Sequence, residues 1–131
     1  MQVKLTKEIG RELIENIFVT ALEGGSNYWY FLSQETTKKI RNAVPKSLDP
    51  YLSTAIVKAI FDFGIDVDIN DAENEDEILG TINAKNFQER LQLLADSPNS
   101  HVLDSELNEN GDAETSDVIF QYITMGEVVF S

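Results

Sequence analysis

With 131 residues, 42% of them hydrophobic and 25% charged, the chain has the makeup of one globular domain able to bury a real core, which excludes global disorder. It has no cysteine, which excludes disulfides, thiolate nucleophiles and Cys-type zinc or iron–sulfur sites. Residues 1–65 hold eight Lys/Arg against seven Asp/Glu, and residues 66–131 two against sixteen, so the formal net charge of −13 is concentrated in an acidic second half that disfavours direct DNA binding and anionic membranes.

In chain order, "QVKL" (2–5) reads as a short strand. In "TKEIGRELIENIFVTALEGG", Ile9, Leu13, Ile17 and Ala21 recur four apart beside Ile14, Phe18 and Leu22. That spacing predicts a helix with one buried face, N-capped by Thr6 and stopped by Gly24–Gly25. "NYWYFL" (27–32) has strand composition, and "QETTKKIRNAV" (34–44) reads as a short basic helix ended by Pro45. Asp49–Pro50 reads as an N-cap and first helical position for a helix carrying Leu52, Ile56, Ala59, Ile60 and Phe63. "IDVDIN" (65–70) alternates, with Ile65, Val67 and Ile69 opposite Asp66, Asp68 and Asn70. The turn "DAENEDE" and a second strand "ILGTI" (78–82) complete a hairpin.

Residues 83–98 then read as a helix with Phe87, Leu91 and Leu94 inward. Residues 99–112 read as a mobile acidic loop or interrupted helix. The end of the chain reads as an apolar helix to Met125, a Gly126 stop and a final strand. The sum is a single small α+β domain, 1–131, with helices packed on a mostly antiparallel sheet. No apolar run approaches the roughly 18–20 residues that span a membrane, and "MQVKLTKEIG" lacks the pattern of a signal peptide, so the expectation is cytoplasmic.

Two segments, "TALEGGSNYWY" and "SDVIFQYITMGEVVF", together resemble a group of small phage and prophage proteins. That group pairs an early A-x-E-G-G-x-x-Y-W element with a C-terminal D-V-x-x-Q-x-x-x-x-G-E-V-V element. The matching positions are Glu23, Gly24, Gly25, Tyr28 and Trp29, then Asp117, Gln121, Gly126 and Glu127. The resemblance implies a phage accessory gene product working inside a bacterium, and it carries no assigned chemistry.

Four constellations carry candidate chemistry. In "EGGSNYWYF" the simplest expectation is a glycine stop and a core strand. The functional version adds an anion-binding nest of N–H groups at Gly25, Ser26 and Asn27, and an open aromatic pair from Tyr28/Tyr30 or Trp29/Phe31 for stacking a base. Asp117 and Gln121, four apart, share a helix face, where they either tie the helix to neighbouring backbone or read the edge of a ligand. Asp66, Asp68, Asn70 and Glu77 fit positions 1, 3, 5 and 12 of a calcium loop, but Asp71 stands where that loop needs glycine, so they read as sheet face and turn. Lys38, Lys39, Arg41 and Lys46 form the dense basic cluster, a solvent face or the first cations to meet a phosphate.

The single histidine, His101, sits in a polar stretch, and no nucleophile elbow is present, so catalysis, metal and cofactor are not expected. Binding roles remain. One is a homo-oligomeric sponge that sequesters a small nucleotide signal of a bacterial defence system. In it Glu23, Gly24, Gly25, Ser26, Asn27, Tyr28 and Trp29, with Asp117, Gln121, Lys38, Lys39 and Arg41, hold the ligand. Another is an acidic, DNA-mimic-like inhibitor docking on a basic host protein, and a third is a structural or assembly accessory.

Overall fold

The computed structural model describes Met1 and residues 6–131, so the strand expected at 2–5 lies outside the described residues. Six α-helices pack on one three-stranded antiparallel sheet among those residues, an α+β arrangement.

Helix α1 (Arg11–Thr20) starts later than its apolar spacing suggests. Gly10 in extended conformation is its N-cap, and Thr6 lies outside it. Ile17 and Phe18 are buried, and the helix widens into a π-helical segment at Ala21–Gly25. Strand β1 is only Tyr30–Phe31, because the carbonyl of Ser26 accepts the N–H groups of both Trp29 (3.1 Å) and Tyr30 (3.2 Å) and curls residues 26–29 into a turn. Helix α2 (Gln34–Ala43) is capped by Ser33, whose hydroxyl accepts the Thr36 N–H at 3.1 Å.

Helix α3 (Leu52–Phe61) begins two residues beyond the expected proline. Asp49 Oδ1 accepts the Tyr51 N–H (3.0 Å) in an Asx turn instead of capping a helix at residue 50. The same buried carboxylate takes Thr54 Oγ1 and Lys58 Nζ, each at 2.6 Å.

The hairpin forms as the alternation predicts. Strands β2 (Val67–Asp71) and β3 (Ile78–Ile82) pair Val67 with Ile82 and Ile69 with Gly80, and β1 pairs on the other side of β2. Val67 and Ile69 are fully buried. A bulge then shifts Asn70 opposite Ile78, and Asn70, expected on the polar face, is buried with its Nδ2 donating to Glu75 O at 2.6 Å.

Helix α4 (Ala84–Ala95) has a reciprocal cap between Asn83 and Asn86. Of the two expectations for residues 99–112, a mobile acidic loop or an interrupted helix, the second holds: helix α5 (His101–Leu107) forms there, with Val102, Leu103 and Glu106 packed inward. Helix α6 (Ala113–Met125) is the centre of the fold: eight of its thirteen residues are buried, polar ones included. It ends at Gly126, whose φ of 79° is the left-handed C-cap that glycine adopts cheaply. At Gly80 a Cβ would lie 1.9 Å from the Thr124 carbonyl oxygen, so only glycine lets β3 lie this close on α6. Residues 127–131 form an extended tail outside the sheet, where a strand was expected.

One hydrophobic cluster joins these elements, with Phe18 edge-on to Phe120 (5.7 Å) and Phe61 edge-on to Phe87 (5.0 Å). No helix among the described residues is long and apolar enough to cross a membrane.

Candidate functional site

The segments "TALEGGSNYWY" and "SDVIFQYITMGEVVF" meet in space, the second of them supplying most of α6. Gly25 allows this approach, because a Cβ there would stand 2.7 Å from the Ala113 carbonyl oxygen at the start of α6. The turn that follows then aims Ser26, Tyr28 and Trp29 at Asp117. Oδ1 of Asp117 accepts Ser26 Oγ–H and Trp29 Nε1–H, both at 2.7 Å. Oδ2 accepts the Tyr28 hydroxyl at 2.5 Å and Gln121 Nε2–H at 3.2 Å. A carboxylate only 8% exposed is thus held by four donors and no cation. Partial desolvation of the hydroxyl of the otherwise half-exposed Tyr28, together with the hydrogen bond and charge of Asp117, pushes it up to about 12 against a smaller opposing effect of Gln121.

Gln121, four residues on and 1% exposed, carries the network to the tail. Its Oε1 accepts the N–H groups of Val129 and Phe130, each at 2.9 Å, and its Nε2 donates to the Phe130 carbonyl at 3.0 Å. One side-chain amide therefore replaces the strand pairing the tail lacks. The Phe130 ring lies parallel to the Trp29 indole, with centroids 5.5 Å apart and planes 8° from each other, and Phe120 lies on the indole at 5.3 Å.

This geometry corrects the open-platform expectation for Trp29, while Tyr28 stays half exposed. Trp29 is 1% exposed and faces Phe120 and Phe130 instead of solvent. Tyr30 turns its hydroxyl into the π-helical segment, donating to Leu22 O at 2.5 Å, and burial with the nearby Glu23 charge raises its pKa. The nest is closed as well: the Ser26 N–H donates to Ala21 O (2.8 Å) and the Asn27 N–H to Gly24 O (3.5 Å).

Glu23, Gly24 and Asn27 are exposed. Glu23 sits beside α3, 3.4 Å from the Ser53 hydroxyl. Lys38 and Lys39 are exposed on α2 and make no hydrogen bond to the Asp117 network. Arg41 is not free to meet a phosphate, because its guanidinium donates to the carbonyls of Val44 (3.3 Å), Asp49 (2.5 Å) and Pro50 (3.1 Å) and pins the α2–α3 connection. No cluster of three or more acidic, histidine or cysteine side chains among the described residues has the spacing of a metal site.

Sequence reasoning missed three features. Phe130 shields Trp29, and only its place in the apolar "VVF" ending hinted at burial. Arg90 Nη1 donates to Thr81 O (2.9 Å), Ile123 O (2.8 Å) and Thr124 O (2.9 Å), fastening α4 and β3 to the last turn of α6. Glu106 accepts Thr115 Oγ1 (3.0 Å) and Ser116 Oγ (2.9 Å) and lines an open groove of about 620 Å³. That groove runs between α1, α5 and the start of α6, and Glu8, Glu12, Glu109 and Asp112 line it too.

In comparisons with protein-family models, curated proteins and solved structures, none matches this chain.

Proposed function

We propose that the chain is a phage accessory protein that acts by binding inside the bacterial cell, docking its acidic face on a basic surface of a host protein. One observation carries this reading: among the described residues, the 620 Å³ groove is lined by five carboxylates and by no lysine or arginine. Like charges gathered on an open concave surface favour a cationic partner, speed its encounter and repel nucleic acid. The resemblance of the two motif elements to phage proteins supports the cellular setting. Their burial supports the choice of face, because a preformed nucleotide site on the glycine turn needs Trp29 uncovered, and Phe130 covers it.

The test compares the native chain with an E8K/E12K/E109K variant, all three positions being exposed. Immobilised native protein retains a host protein that salt releases steeply, and the variant retains none while unfolding at the same urea concentration. Equal retention by both would overturn the acidic-face reading.

A further inference from the structure

The segment 127–131 lies over Trp29 and is loosely held there. With the described residues, the hydrogen bonds of residues 127–131 run only to Gln121 and, at 3.4 Å, to Tyr28. Val128 and Val129 are exposed, and the one apolar anchor of the tail is Phe130. Beneath it lie an indole face and a glutamine amide whose other partners are the Asp117 carboxylate (3.2 Å) and the Tyr28 hydroxyl (3.3 Å). The amide presents an acceptor and a donor side by side: Oε1 takes two backbone N–H groups and Nε2 gives to a carbonyl. That pairing is the one by which a glutamine reads the N6-amino and N7 edge of adenine. The parallel stack of Phe130 on Trp29 is the geometry of a base on an aromatic platform.

We infer that Phe130 and the tail backbone plug a cryptic purine slot, in which an adenine ring displaces Phe130 from Trp29 and its amino edge takes the place of the tail on Gln121. The slot shares no residue with the acidic groove, so either proposal stands or falls without the other. The plug sets the apparent affinity, because the ligand meets only the fraction of molecules whose tail is released.

Trp29 is the only tryptophan, so its emission reports the slot directly. The experiment titrates adenosine 5′-monophosphate into the native chain and Phe130→Ala, following Trp29 emission, with acrylamide quenching of each. In Phe130→Ala acrylamide quenching rises severalfold, and the nucleotide quenches Trp29 saturably with an affinity about tenfold above that of the native chain. Adding Gln121→Glu to Phe130→Ala, which replaces the donor by a second acceptor, lowers that affinity at least about tenfold while Trp29 stays open to acrylamide. Should Phe130→Ala not fold, hydrogen exchange on the native chain decides: the nucleotide strips protection from the Val129 and Phe130 amides. Trp29 that opens in Phe130→Ala yet ignores the nucleotide, or native tail amides unchanged by a saturating excess, overturns the inference. So does a Trp29 that opens only on dilution, since the slot then takes the tail of a second copy.

Discussion

The Asp117–Gln121 knot and the acidic groove lie at opposite extremes of one small molecule. The knot collects the residues that look most chemical in the sequence, and it uses most of their bonding on itself: each oxygen of Asp117 has two donors, and Phe120 and Phe130 pack against the Trp29 indole. The groove collects ordinary glutamates and aspartates, and most of them remain open to solvent. A buried polar group needs its partners supplied by the fold, so a cluster of glycine, tryptophan and amide side chains can be wholly consumed in holding elements together. A surface left charged and unpaired is where an outside partner finds something to neutralise.

The largest way to break the comparison is Asp117→Ala. It leaves the buried donors of Ser26 and Trp29 without their acceptor and takes one of three acceptors from Gln121, and the expected loss is about 3–5 kcal/mol in urea unfolding, since each orphaned buried group costs about 1–3 kcal/mol. Next comes Arg90→Met, which keeps bulk but frees three carbonyls at the α4–β3–α6 junction. The expected loss is about 2–3 kcal/mol, read in the same experiment.

Asp49 gives a pH effect of defined sign. Burial alone would raise its carboxyl, but the hydrogen bonds of Lys58, Thr54 and the Tyr51 N–H, with the Lys58 charge, outweigh it and hold the group below its ordinary value. Folding therefore favours the ionised form. That stability is present above the ordinary carboxylate value of about 4 and is lost as pH falls through the lowered one. Thermal midpoints of native protein should drop in that acid range, and those of Asp49→Asn should drop less. The smallest effect belongs to Tyr28. With its hydroxyl raised to about 12, it contributes stability that is complete below the ordinary tyrosine value of about 10 and fades as pH rises through about 12. Phenolate absorbance appearing near pH 12 should fall by one of the four tyrosines in Tyr28→Phe.

Much of the fold was legible where the signal is local. The alternation of Val67 and Ile69, the apolar spacing of α3 and α4, and Gly126 as a stop each report a short-range geometric demand, and each is met. Legibility failed where a distant partner decides. Residues 27–32 have strand composition, yet only Tyr30–Phe31 form a strand, and Asp117, roughly ninety positions on, holds the side chains of Ser26, Tyr28 and Trp29 in the turn before it. Residues 101–107 are mostly polar, yet Val102, Leu103 and Glu106 find α6 and form a helix. Asp117 and Gln121 were legible as a pair on one face; Gln121 meets backbone at Val129 and Phe130, while Asp117 meets only side chains. That the backbone was the chain's own tail, bringing Phe130 onto Trp29, was beyond any local pattern.

The central claim is the division between a knot that holds the fold and a face that is free to work, and urea unfolding of Asp117→Ala beside E8K/E12K/E109K tests it most directly. The account predicts that Asp117→Ala falls by about 3 kcal/mol or more while the triple variant stays within about 0.5 kcal/mol per site of the native chain. Equal stabilities for the two variants would contradict it, because the carboxylate in the knot would then be as dispensable to the fold as those of the groove.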